Sequence, residues 1–203
     1  MKRMQNLIIF FIILIIIFSC SKVKEANLYV LEYRPQITGK SNLKTKFPYR
    51  IQVREFSISR TYDNSRIVVR ESAHRIFYDR YSLWALRPQQ SFANLMINHI
   101  NALGIFESCQ KRFLRKKADY MIDGTINKIE KYDSPEITRA DLQYKIELYD
   151  LETDQVVLCR NFTSYKKLYT DNMSFFARTL SYQIRDSFQE FIDDMINYFN
   201  TKK

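Results

Sequence analysis

Between Ala140 and Leu148 the chain alternates without a slip: Ala140, Leu142, Tyr144, Ile146 and Leu148 are apolar, and Asp141, Gln143, Lys145 and Glu147 between them are polar or charged. Successive side chains of a strand point to opposite faces, so this stretch predicts a strand with one buried and one wetted face. Residues 173–199 follow the other period. Met173, Phe176, Ala177, Leu180, Ile184, Phe188, Phe191, Ile192, Met195 and Phe199 recur at three and four, which predicts a long helix with one apolar stripe, capped by Asp171 or Asn172. A one-faced sheet and a striped helix stabilise each other only by packing together, which constrains the whole fold.

The rest of the chain divides along the same lines. Residues 27–35, NLYVLEYRP, read as a first strand, and 37–48 as a loop rich in Lys and Ser. Residues 49–60 alternate through Ile51, Val53, Phe56 and Ile58, with a phase slip near Glu55 that suggests a bulge. YDNS at 62–65 is turn chemistry, and 66–72 and 74–80 give further strands, so 49–72 reads as a hairpin followed by another short strand. In 89–106 the period changes again: Phe92, Leu95, Met96, His99, Ile100 and Leu103 mark a helix, with Ser91 as its N-cap and Gly104 as its C′ residue. Residues 119–133 and 138–168 read as strands, the latter folded back at the 150–155 turn. The expected fold class is α+β: an antiparallel or mixed sheet with two helices packed on one face.

The N-terminus reads as an address. Lys2 and Arg3 precede an apolar run from Leu7 to Phe18, about 12 residues, too short for the roughly 20 a bilayer span needs but suited to a secretory signal. The run ends Ile17-Phe18-Ser19-Cys20, the pattern cut before a cysteine that receives a diacylglycerol. The rival reading is a short uncleaved anchor with an incidental cysteine. The expected division is a lipoprotein signal peptide at 1–19, a lipidated tether at 20–27 and one domain at 28–203, with Ser21 after the cysteine favouring the outer membrane.

Composition narrows the chemistry. Gly39, Gly104 and Gly124 are the 3 glycines, too scattered for a phosphate-cradling loop. His74 and His99 lack neighbours at metal-ligand spacing, so no metal site is expected, and His99 reads as a satisfied core histidine. Cys109 and Cys159 either form a disulfide or remain two buried free thiols. Asp193 and Asp194 read as solvent surface. No enzyme, and no cofactor beyond the acyl groups on Cys20, is expected. The net charge of +10 falls to about +8 when Lys2 and Arg3 leave with the signal. Part of the excess lies in QKRFLRKK, 110–117, a solvated loop or a contact for headgroups or an acidic partner. Export makes nucleic acid an improbable partner.

The ordered series formed by the lipobox, YVLEY, the 51–71 segment, YSLWALRP, a helix ending ALGIF, ADYMIDGTINKIE, ADLQYKIELYDLETDQVVL and a C-terminal helix resembles the ABC-type transport auxiliary lipoproteins of the PqiC/YmbA type. The matching positions are Trp84, Ala85 and Pro88 at the turn into the first helix, Gly104 and Phe106 after it, Ala118, Asp119 and Tyr120 at a strand start, and Asp150 and Thr153 in a late turn. Arg87 stands where a second proline is common, and Asp154 where glycine is usual. The resemblance implies a lipid-anchored outer-membrane protein facing the periplasm, partnered by an MCE-domain protein and ABC transporter components and open to homo-oligomerisation. A surface-displayed lipoprotein binding an external ligand is the alternative. In YDRYSLWALRP, Pro88 disfavours helix at Arg87 and starts one after it, so the stretch reads first as a structural corner. Trp84, Tyr81 and Arg87 there, with Arg54 and Arg70 in the charged strands, are the expected partner-binding residues.

Overall fold

The computed structural model describes residues 25–35 and 47–202. The strands are β1 (Asn27–Tyr29), β2 (Phe47–Val53), β3 (Ser57–Ile58), β4 (Arg66–Ser72), β5 (Arg75–Trp84), β6 (Phe106–Gln110), β7 (Tyr120–Asp133), β8 (Thr138–Asp150) and β9 (Gln155–Lys167); the helices are α1 (Pro88–Leu103) and α2 (Met173–Thr201). One open, mixed sheet carries both helices on a single face, which is the α+β architecture expected from the two periods.

β7 is the spine. Along one edge it pairs antiparallel with β8 over its whole length, Tyr120 opposite Asp150 and Asp133 opposite Thr138. β8 in turn pairs with β9. Along its other edge β7 takes three strands end to end, all parallel to it: β2 at Tyr120–Ile122, β3 at Thr125–Ile126 and β4 at Lys131–Tyr132. β6 pairs outside β2, and β5 then β1 outside β4. The expected hairpin of 49–60 with 66–72 is therefore corrected. Those segments run in the same direction along β7, and the hairpin is β4 with β5. Local alternation cannot distinguish a partner 15 residues away from one 70 away.

The slip at Glu55 is a break rather than a bulge. After Val53 the chain leaves the ladder, Phe56 enters the core, and pairing resumes at Ser57, with Arg54 N–H still donating to the Ile122 carbonyl at 3.0 Å. Phe56 lies over Gly124, where a Cβ would overlap its ring, with Phe56 Cζ at 2.8 Å. This glycine is dictated by close approach.

Three further boundaries moved. Only Asn27–Tyr29 of the expected first strand pairs; after it Leu31 enters the core, Glu32 N–H donates to Ser181 Oγ at 3.1 Å, and the chain crosses the helices. α1 begins at Pro88 with Arg87 at the N-cap and no side-chain cap, so Ser91 is inside the helix, its hydroxyl donating to the Leu86 carbonyl at 3.3 Å. α1 ends at Gly104, in the left-handed region (φ 63°) as expected, and a strand not anticipated from the sequence, β6, follows directly. The long helix matches its expectation, and Asn172 caps it through bonds from the Ser174 and Phe175 N–H groups. Asp154 takes the left-handed turn position at φ 56°, a conformation Asp tolerates better than most residues.

The core is aromatic. Phe92, Tyr144 and Phe188 meet edge to face, Phe92 5.2 Å from Tyr144 and 5.8 Å from Phe188. Phe199 closes the far end against Phe47, Tyr49, Phe106 and Tyr120. Gly124→Ala should cost about 1–3 kcal/mol, because the added methyl must displace a buried ring with no free side. Urea unfolding checks this, and Phe56→Leu in the same background should recover part of the loss.

Candidate functional site

Each expected site residue has a definite place. Cys20 and the signal peptide lie outside the described residues. Trp84 ends β5, buried, its ring 6.2 Å from Phe176 and its backbone N–H donating to the Ser65 carbonyl at 2.6 Å. It is a core anchor at the strand-to-helix corner, and its burial removes it from any docking surface. Tyr81 is half-buried, its N–H donating to Asp79 Oδ1. Arg87 is exposed and reaches Asp63 at 3.3 Å, a carboxylate it shares with Gln89. Arg54 and Arg70 lie apart from these, on the sheet face away from the helices. Arg54 is exposed beside Asp123, whereas Arg70 is committed to the fully buried Glu130 at 2.6 Å. The five residues do not converge on one site.

The disulfide alternative is also corrected. Cys109 is buried on β6, Cys159 is exposed on β9, and both are free. Strands β2, β7 and β8 stand between them, so four strand spacings of about 4.8 Å put them roughly 19 Å apart, far beyond disulfide reach. Of these two Cys109 alone is buried, and burial pushes its thiol up to about 12.

The uncovered sheet face is a field of paired charge. Glu130 and Asp141 are both fully buried and sit opposite each other in the β7–β8 ladder. Glu130 accepts from Tyr62 OH (2.7 Å) and Arg70 Nε, with Lys128 at 3.7 Å. Asp141 is bound by the Arg139 fork at 2.7 and 3.2 Å, and that guanidinium lies 4.3 Å over Tyr132 and 5.2 Å from the Tyr165 ring. Burial nevertheless leaves the Asp141 carboxyl above the usual range, against the opposing pull of Arg139.

At the end of the sheet where β7 begins, two adjoining clefts of about 420 and 360 Å³ open. Arg50 grips Asp119 with its Nε, Nη2 and backbone N–H, and the hydrogen bond from its side chain holds that carboxyl below the usual range. Lys202 bridges Tyr120 OH (2.8 Å) and Asp150 Oδ2 (2.9 Å), tying the end of α2 to β7 and β8. Burial alone would raise Asp150, but this bond and those from the Glu152 and Thr153 N–H groups lower it. Both carboxylates are thus driven away from the near-neutral pKa that general-base chemistry requires. Among the described residues no group of three His, Cys, Asp or Glu side chains has metal-binding geometry.

The second cleft owes its shape to the basic segment. β6 and β7 are parallel and flank β2, so residues 111–119 must arch over β2, past Gln52 and Leu151, to join them. That arch carries Phe113 and Leu114 among Lys111, Arg112, Arg115, Lys116 and Lys117.

Residues 29–187 match the family described as the ABC-type transport auxiliary lipoprotein component. The chain belongs to this family. No curated protein matches it in sequence. Among solved structures, protein XCC0632 from Xanthomonas campestris is similar, with a TM-score of 0.72 at 14% identity over 87% of this chain and 100% of that one. An uncharacterized protein follows with a TM-score of 0.67 at 12% identity, over 84% of this chain and 99% of that one. A third, the hypothetical protein CT253 from Chlamydia trachomatis, has a TM-score of 0.50 at 6% identity, over 73% of this chain and 95% of that one. At these identities the structural likeness shows the fold alone.

His99 is buried on α1, Nδ1 3.0 Å from Tyr33 OH and Nε2 3.0 Å from Gln189 Oε1, as the core reading required. Burial lowers its pKa, with Gln189 and Asp193 pulling the other way and Arg185 adding to the lowering. The unfolded chain therefore binds a proton near pH 6.5 that the folded chain refuses, so stability is present above that pH and lost as pH falls through it. Chemical denaturation between pH 7.5 and pH 5 should show this decline for the native protein. His99→Gln should flatten the slope while lowering stability at pH 7.5.

Proposed function

We propose that the protein is a non-catalytic, membrane-anchored accessory subunit of an MCE/ABC-type envelope lipid transport system, held at the outer membrane by acyl chains on Cys20 and facing the periplasm. The observation that carries this reading is the family match, which spans most of the domain including the Trp84–Pro88 corner and the Asp119–Tyr120 strand start. The physical organisation agrees with it. The helices and sheet fill their shared interior with Phe, Ile and Leu side chains, so the described domain is a solid body suited to docking rather than to enclosing a lipid. Anchoring concentrates such a body at one surface, and a partner that reaches that surface then binds at a raised effective concentration.

The test is affinity recovery from detergent-solubilised membranes with a C-terminally tagged chain, native beside Cys20→Ala, read by mass spectrometry. An MCE-domain protein or its ABC partners should be recovered with the native chain and be lost or depleted at least tenfold with Cys20→Ala. Absence of any envelope transport component, together with removal of the domain by protease on intact cells, overturns the accessory-subunit reading in favour of a surface-displayed binder.

A further inference from the structure

Both β1 and β6 end the sheet on the same side of β7, because β8 occupies the other edge throughout. The register puts them at different levels of that side. β1 lies outside β5 and runs antiparallel to β7, beside its second half, whereas the 111–119 arch sits level with Tyr120. Leu28 is level with Leu83 and Arg66, and so with about residue 128 of β7; about eight residues of strand separate it from the level of Tyr120, roughly 26 Å at 3.3 Å per residue.

The exposed apolar surface follows this geometry. Among the described residues three aliphatic side chains are more than half exposed: Leu28 at 67%, Val30 at 55% and Leu114 at 87%. All three lie on the β1/β6 side. Leu114 has Phe113 beside it and five exposed cations within three residues: Lys111, Arg112, Arg115, Lys116 and Lys117, of which Lys116 has a 3.5 Å pair with Glu107. Near Leu28 and Val30, Glu25, Glu32 and Arg34 are exposed, so the excess of cations lies at the arch. An aliphatic side chain ringed by Lys and Arg, as at Leu114, suits the boundary between acyl chains and anionic headgroups.

We propose that this side of the sheet lies on an anionic lipid surface, held by the Phe113–Leu114 arch and its cations, with Leu28 and Val30 on the same side, so that β9 on the opposite edge faces away from the bilayer. The proposal rests on the anchored reading for its orientation: from Cys20 to Glu25 the chain can span at most about 17 Å, which keeps β1 next to the membrane. Charge complementarity at the arch selects anionic over neutral lipid. The acyl chains on Cys20 hold the chain at the membrane, and the basic patch supplies a second point of contact that fixes how the domain lies on it.

The test uses the full lipidated chain reconstituted in vesicles. An environment-sensitive thiol fluorophore is placed at position 114 through Leu114→Cys in a Cys159→Ser background, and on the native chain at Cys159, which is exposed on β9; Cys109 is buried and Cys20 is occupied by lipid. On phosphatidylcholine–phosphatidylglycerol vesicles the probe at 114 should brighten several-fold and be quenched by spin-labelled lipid, and the probe at 159 should do neither. Lys111→Glu with Arg115→Glu should return the probe at 114 to its emission in water, and each cation removed should weaken the contact about fivefold. A probe at 114 that stays water-like on phosphatidylglycerol vesicles, or responds equally on pure phosphatidylcholine, overturns the proposal. Shielding seen only in native envelope membranes also overturns it, in favour of an acidic protein partner. Failure of the native chain to float with pure phosphatidylcholine vesicles overturns the anchored reading instead, which separates the two.

Discussion

The β7–β8 ladder is the interaction on which the rest of the structure depends. With 14 residues in β7 and 13 in β8, joined by a short connection at Ser134–Ile137, it is formed from near neighbours in sequence and needs little loop closure. Once made, it offers a long parallel edge that β2, β3 and β4 fill in turn. A single β2-to-β4 strand would have to match the twist of β7 over its whole length. Breaking it at Arg54–Phe56 lets the edge re-register, and Phe56 fills the break because Gly124 leaves room beneath it. The ladder also has its own slip, between Ile126 and Lys128, so the bend is shared by both edges of the same strand.

Beyond that bend the uncovered face changes character. Glu130 and Asp141, opposite each other and out of water, would repel if either lacked its own cation. Arg70 comes from β4 and Arg139 from β8 itself, so the pairing of β4 with β7 completes the charge balance that β7 and β8 cannot complete alone. Such buried pairs are weak contributors to net stability, but removing one partner strands a charge, at a cost of several kcal/mol. They act on which strand lies beside β7 more than on how tightly it is held. Lys131 does the equivalent on the helix side. Burial disfavours its charge, yet bonds to Asp171 and Asp133 more than offset this and keep its pKa raised, locating the start of α2 over β7.

Period was legible in the sequence and partnership was not. Alternation from Ala140 to Leu148 and three-four spacing from Met173 to Phe199 placed β8 and α2 almost to the residue, since both depend on which side of an element is apolar. The identity of the neighbour across a ladder depends on chain reversal many residues away, so β2 and β4 looked like a hairpin. β6 was missed because Phe106 to Gln110 is too short to show a period and follows a helix stop that was itself read correctly at Gly104. Trp84 was visible as a corner from Pro88, but only the packing against Phe176 decides that its ring faces inward. Cys109 and Cys159 look alike in sequence; strand order alone separates them.

The same topology determines where function can reside. Among the described residues the helix face of the sheet is filled by its own aromatic core, apart from a cleft of about 230 Å³ beside Gln183, and the opposite face pairs its buried carboxylates with cations. What remains are the two long sides. On the β9 side the edge strand carries its unpaired backbone groups with Arg160, Lys166 and Lys167 beside half-exposed Val156 and Tyr165, and charged residues on an edge resist indiscriminate strand addition. On the β1/β6 side the pairing partners are short, and the connection between parallel β6 and β7 cannot bury itself because it must pass over β2. A chain forced to expose that arch either makes it inert or gives it something to touch. Phe113 and Leu114 are not inert, and the cations around them narrow what the touch can be.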